Sequence, residues 1–176
     1  MTQSQIKGLK ISSELCLVRL HHSTQAFHRL PAFCAIMAGG RINLPFISTA
    51  HQVNGFQAAC CVDARHQALT RQLVDADPMM NGHVSYVPHV GLLTLFPHQS
   101  SLKLFALSLR ALSSENFQVL EMASSIGALT YVLDYAGLEA AAQMLASFFN
   151  LDGNHSPFRS EFVVCQEARL KPGERE

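Results

Sequence analysis

The chain repeats itself. His22 and His98 lie 76 positions apart (98 − 22), each in a polar stretch between a strand-like apolar run and a helix-like one. Ser48-Thr49 and Ser124-Ser125 keep that spacing (124 − 48), each inside a β-rich segment, and Asp63 and Asp134 close those segments 71 apart (134 − 63). Self-similarity that preserves order, residue type and spacing marks two copies of one supersecondary unit. The shorter spacing at the aspartates makes the first segment's turn about five residues longer than the second's.

Each copy reads as strand, helix, hairpin, helix, strand. Glu14 to Leu20 is a core strand with Leu15, Leu17 and Arg19 on one face and Cys16, Val18 and Leu20 on the other. Apolar residues on both faces imply that both are covered. His21-His22-Ser23-Thr24 then reads as loop and helix cap. Phe27, Leu30, Cys34 and Met37 follow at near-helical spacing, and Pro31 moves the expected helix start towards Leu30. Gly39-Gly40 is expected to end that helix. The stretch Ile42 to Asp63 is two apolar runs split by Asn54-Gly55, a hairpin signal because glycine takes positive φ without strain. Gln67 to Val74 is helical and stops at Asp77-Pro78.

The second copy opens with Val84 to Val87, a short strand broken by Pro88, and Val90 to Phe96, a strong one. Leu102, Phe105, Ala106, Leu109 and Leu112 form an amphipathic stripe. Phe117 to Met122 and Ala128 to Asp134 make a second hairpin around Ser124-Ser125-Ile126-Gly127. The last helix, Gly137 to about Phe149, buries Leu138, Ala142, Leu145 and Phe149, and Phe162 to Cys165 is a final strand. Asp63 and Asp134 are expected to cap the helices behind them. The fold class is α+β: two ferredoxin-like βαββαβ units with antiparallel sheets and helices on one face.

Charged residues make up only 15% of the 176 and balance to a net charge of zero, so nothing points to nucleic acid or an anionic membrane. No apolar run approaches a spanning helix, and no signal-peptide core follows the N-terminal charges, so a cytoplasmic protein is expected. Five cysteines without a CxxC, four of them (Cys16, Cys60, Cys61, Cys165) in apolar strand-like runs, suit reduced, buried thiols. Cys60 and Cys61, adjacent on a strand, must face opposite ways. The nine histidines show no HxxxH or HExxH spacing, and no metal or other cofactor is expected.

Ile42-Asn43-Leu44, Ile47-Ser48-Thr49 and Cys61-Val62-Asp63 resemble the centre of an ACT domain, a small amino-acid-sensing module. From Ile6 to about Cys165 the chain resembles the tandem ACT pair that forms the regulatory region of aspartokinases, with no kinase domain expected ahead of it. The resemblance implies a first unit over 11–87, a second over 88–166 and a tail over 167–176. It also implies strand exchange, with residues 4–11 adding an edge strand to the second unit.

In such domains the effector lies between side-by-side modules, held by the first strand-to-helix loop and the start of the second strand. Carried over, the first unit offers His21, His22, Ser23, Thr24, Ile42, Asn43, Ser48 and Thr49. The second offers Pro97, His98, Gln99, Ser100, Asn116, Phe117, Ser124 and Ser125. Helix N-terminal amides attract a carboxylate, and strand-edge carbonyls accept from an ammonium. Ser23, Thr24 and Ser100 serve equally well as helix caps. The chain departs from the family where Ser48-Thr49-Ala50-His51 and the histidine-bearing loops carry no carboxylate to meet a cationic effector.

The implied function is a regulatory module that binds a small molecule, an amino acid, and forms a homodimer with no catalysis of its own. The alternative is a ligand-free docking subunit of an amino-acid biosynthetic enzyme. Helices on one face only leave the other face or the sheet edges for a partner to cover.

Overall fold

A computed structural model describes residues 6, 8–23, 26–52, 55–96 and 101–149. Strands β1 (Gly8–Ile11) and β2 (Leu15–Ser23) precede helix α1 (Ala26–Gly39), and the hairpin β3 (Phe46–Gln52) and β4 (Gly55–Asp63) follows. After a 3-10 turn come α2 (Gln67–Asp75) and the 13-residue strand β5 (Val84–Phe96). Then come α3 (Leu102–Ser114), the hairpin β6 (Glu121–Ser124) and β7 (Leu129–Asp134), a second 3-10 turn and α4 (Leu138–Phe148).

One seven-stranded sheet runs in the order β3-β4-β2-β5-β7-β6, with β1 also paired to β5. Strand β5 belongs to both units. Its first half pairs with β2 (Leu20↔Val84, Leu17↔Val87) as the fourth strand of unit one. Its second half pairs with β7 (Val90↔Asp134 to Leu95↔Leu129) as the first strand of unit two. The fourth position of unit two is taken by β1, antiparallel to β5 from Gly8↔Phe96 to Ile11↔Leu93. The tandem ferredoxin-like arrangement and the exchanged edge strand are thus both present. The expected strand Phe162 to Cys165 lies outside the described residues.

Alternation sorts the strand residues onto two faces. Cys16, Val18 and Leu20 of β2 and Cys60 and Val62 of β4 pack beneath Phe33 and Met37 of α1 and Val74 of α2. Leu93, Leu95, Tyr131 and Leu133 pack with Leu104 and Leu112 of α3, Leu138 and Leu145 of α4, and Ile6, Leu9 and Ile11. A third cluster, Leu15, Leu17, Phe46, Ala59, Cys61, Val90, Leu92 and Val132, lies on the helix-free face of both units. The sheet rolls until its two end strands, β3 and β6, lie against each other, so these faces cover one another. Cover for the helix-free face, expected from a partner, therefore comes in large part from inside the chain.

Several local expectations are corrected. Pro88 does not end a strand. A one-residue bulge, Leu15↔Val90 against Leu17↔Val87, absorbs it, with His89 at φ 56. Helix α1 begins at Ala26, so Pro31 sits inside it on the exposed side, where a missing amide is least costly to packing. Residues 21–23 belong to β2, not a loop, because β4 reaches far enough for Ser23 to pair with Phe56.

The buried stripe of α3 is Leu104, Ser108, Ala111 and Leu112, while Leu102 is 80% exposed. Ser108 disguised that face, because a serine reads as polar until its partners are known. The cap of α3 is Ser101, whose Oγ accepts from the Leu104 amide at 3.2 Å. Glycine does not close α1 through positive φ either: that conformation falls on Arg41. Gly40 lies close under α2, where a Cβ would come within 2.7 Å of the Leu73 Cδ1 methyl and oblige that side chain to shift.

Candidate functional site

Both units close their first helix alike. After α1 the Arg41 amide donates to Ala38 O (3.1 Å) and the Ile42 amide to Met37 O (2.8 Å), with Arg41 at φ 55. After α3 the Asn116 amide donates to Ser113 O (3.1 Å) and the Phe117 amide to Leu112 O (2.9 Å), with Asn116 at φ 60. These are matched Schellman closures, in which the residue after the left-handed one packs back on the last turn. Ile42, 3% exposed, shares a core with Met37, and Phe117 packs on the core that holds Leu112. Three candidate ligand contacts, Ile42, Asn116 and Phe117, are thus occupied in ending helices. Asn43, beside them, is half-buried.

The second matched device is the aspartate cap. Asp63 Oδ1 accepts from the Arg65 amide and Asp134 Oδ1 from the Ala136 amide, both at 2.9 Å. The Arg65 guanidinium also donates to Asp63, and that hydrogen bond holds the Asp63 carboxyl below the usual carboxylate range. Both aspartates cap, but at the 3-10 turns that lead into α2 and α4 rather than at those helices themselves.

Beside Asn116 and Phe117 an open cleft of about 400 Å³ is lined by Leu109, Ser113, Gln118 and Val119 as well. Its lining mixes polar residues (Ser113, Asn116, Gln118) with apolar ones (Leu109, Phe117, Val119), and it is an open groove rather than an enclosed pocket. At the far end of the same unit, Ser124 ends β6, and Ser125 makes the hairpin turn, its amide donating to Ala128 O (2.8 Å).

Among the described candidates, those that precede a unit's first helix and those that follow it lie at opposite ends of that helix. Asn116 and Phe117 follow α3, whose 13 residues put its N-terminus, capped by Ser101, about 20 Å away. The same holds for His22 and Asn43 across the 14-residue α1. Within one unit no single small ligand spans both groups. His21 is exposed in β2, its amide donating to His83 O (2.8 Å). Thr49 is exposed on β3, and Ser48, half-buried, faces unit two. Thr24, Pro97, His98, Gln99 and Ser100 lie outside the described residues, as do the side chains of His22 and Ser23.

One polar cluster escaped the sequence reading. Arg19 Nε donates to Glu121 Oε1 at 3.0 Å and Arg19 Nη2 to Leu120 O at 3.0 Å. Ser48 Oγ lies 3.5 Å from Glu121 Oε2. Only the position of Arg19 on an apolar strand face hinted at it, since a cation there needs a partner. Among the described residues no group of three potential metal ligands gathers. Burial pushes the thiols up, Cys16 to about 11 and Cys60 to about 12, so neither is a nucleophile.

No protein-family model matches the chain, and no curated protein does. Solved structures do. The chain superposes on a structure of aspartokinase α and β subunits with a TM-score of 0.73 at 14% identity, covering 83% of this chain and 99% of that one. The regulatory subunit of aspartate kinase from Thermus thermophilus gives 0.73 at 13% identity, covering 84% and 100%. Aspartokinase III of E. coli, in complex with lysine and aspartate, gives 0.65 at 19% identity, covering 84% of this chain but 34% of that one. The chain has the fold of the aspartate kinase regulatory region, a tandem of ACT-like units.

Proposed function

We propose that the chain is a regulatory module that binds an amino acid, dimerises, and has no catalysis of its own. The observation that carries this is the match over 84% of this chain to the whole of a chain that is itself a regulatory subunit of aspartate kinase. The separation of the loop and second-strand residues supports dimerisation. A site that uses both must bring a second unit or a second copy alongside. A lysine-like cationic effector is disfavoured. The run Ser48-Thr49-Ala50-His51 has no carboxylate for a cationic one.

Thermal melting against the proteinogenic amino acids tests the reading. A ligand at 100 times its dissociation constant adds about 2.7 kcal/mol. For a chain of this size that raises the melting temperature by roughly 5–10 °C. A shift for one or two amino acids is the expected outcome. No shift for any of them would favour the second reading, a docking subunit of a biosynthetic enzyme, for which the missing loop carboxylates speak.

A further inference from the structure

The rolled sheet is joined in two different ways. On one side the units are continuous through the backbone ladder of β5, which carries the bulge at Pro88 and His89. The other crossing between the units, from β1 to β2, passes close by: Ser12 Oγ accepts from the Leu92 amide at 2.9 Å. On the opposite side β3 of unit one lies against β6 of unit two, and among the described residues no ladder joins them. What bridges them there is the Arg19, Glu121 and Ser48 cluster. Arg19 reaches across from β2 to a carboxylate and a carbonyl of the other unit, and Ser48 of β3 points at the same carboxylate. The ion pair is screened but not sealed, with side chains 29% and 20% exposed.

We propose that this cluster is a latch, that the bulged segment of β5 is the hinge opposite it, and that the two units open along the β3/β6 seam as a clamshell while each stays folded. Three features support a local opening. Each unit keeps its own helix-covered core, so separation sacrifices only the third cluster. The seam is held by side chains, and side-chain contacts can part without unravelling a ladder. The bulge leaves β5 irregular at the one place where a bend moves one unit against the other. Regulation between two modules in one chain needs such a joint, and the seam supplies it independently of which ligand the module takes.

The sequence contains its own reporter. Cys60 and Cys61 are neighbours on β4, both fully buried. Cys60 points into the first unit's helix-covered core and Cys61 into the seam. Opening the latch exposes Cys61 and leaves Cys60 covered, whereas unfolding unit one exposes both.

Native-state labelling of the whole chain with iodoacetamide, with the modified cysteine assigned by tandem mass spectrometry, tests this. In the unmodified protein Cys61 is expected to label faster than global unfolding, measured by denaturant under the same conditions, allows. Arg19→Met and Glu121→Gln are each expected to speed Cys61 labelling, the former by about ten-fold, as loss of hydrogen bonds to a charged group implies. Neither should speed labelling of Cys60. The proposal is overturned if Cys61 labels only at the global unfolding rate, or if the two cysteines accelerate together. The first arm needs no variant, so a substitution that fails to fold leaves the test intact.

Discussion

Ser108 sits fully buried in the middle of α3, and its hydroxyl is engaged three times. It donates to Leu104 O (2.8 Å) or Phe105 O (3.0 Å) and meets Tyr131 OH at 2.6 Å. Tyr131, also fully buried, has Ser108 as its hydroxyl partner, and burial pushes its ionisation up. Removing one side of such a pair is costly in proportion to what the other side is left without. Ser108→Ala strands the Tyr131 hydroxyl and is expected to cost about 2 kcal/mol. Tyr131→Phe leaves Ser108 its carbonyls and is expected to cost about 1 kcal/mol or less. Urea denaturation of both variants checks the order, and a larger loss for Tyr131→Phe would contradict the assigned partners. This pair also marks the limit of residue-level reading. Leu138, Ala142, Leu145 and Phe149 were legible as core because they are apolar at helical spacing, and all are buried. Ser108 was not, because nothing local says that a hydroxyl will find Tyr131, 23 residues away.

Among the elements, both hairpins and the aspartate caps followed from short-range chemistry, but the first hairpin does not have the longer turn. Gln52 pairs with Gly55 whereas Ser124 pairs with Leu129, so the first hairpin's extra residues lie in its longer strands. The first hairpin pairs Gln52 with Gly55, whose φ of 136 requires glycine. The second hairpin starts its ladder later than expected, at Glu121, because Phe117 and Val119 are drawn onto the second core. Helix α1 is where local rules misled. Its proline removes the amide that would bond Phe27 O, yet the helix continues from Ala26 through Gly39, held by Phe33 and Met37 in the core. Because Pro31 is exposed, Pro31→Ala restores a backbone bond without forfeiting packing. It is expected to raise stability by about 1–3 kcal/mol. An unchanged or lowered denaturation midpoint would mean that the surrounding core is shaped to a kink at this position.

At the scale of the molecule, the first strand belongs to the last unit. Ile6, Leu9 and Ile11 are nearly inaccessible, packed with Leu93, Leu95 and the helices α3 and α4. At about 1.5–3 kcal/mol for each buried aliphatic side chain, β1 contributes roughly 5 kcal/mol to unit two. Deleting residues 1–11 should therefore unfold unit two at much lower denaturant and split a single transition into two. A truncated chain that melts at the original midpoint in one step would show that the exchanged strand is dispensable.

The repeat, the βαββαβ order, the two-sided burial of β2 and the opposed directions of Cys60 and Cys61 were all determined by the sequence alone. Each rests on periodicity or on residue type within a few positions, where side-chain direction follows from backbone geometry. Only the tertiary structure decided that β5 runs unbroken through both units, that the two helix-free faces cover each other, and that Arg19 of β2 meets Glu121, 102 positions later. Those contacts depend on how far a sheet rolls once its strands are paired. That curvature is set by the bulge at Pro88 and by side chains packing across the roll, which no local pattern encodes.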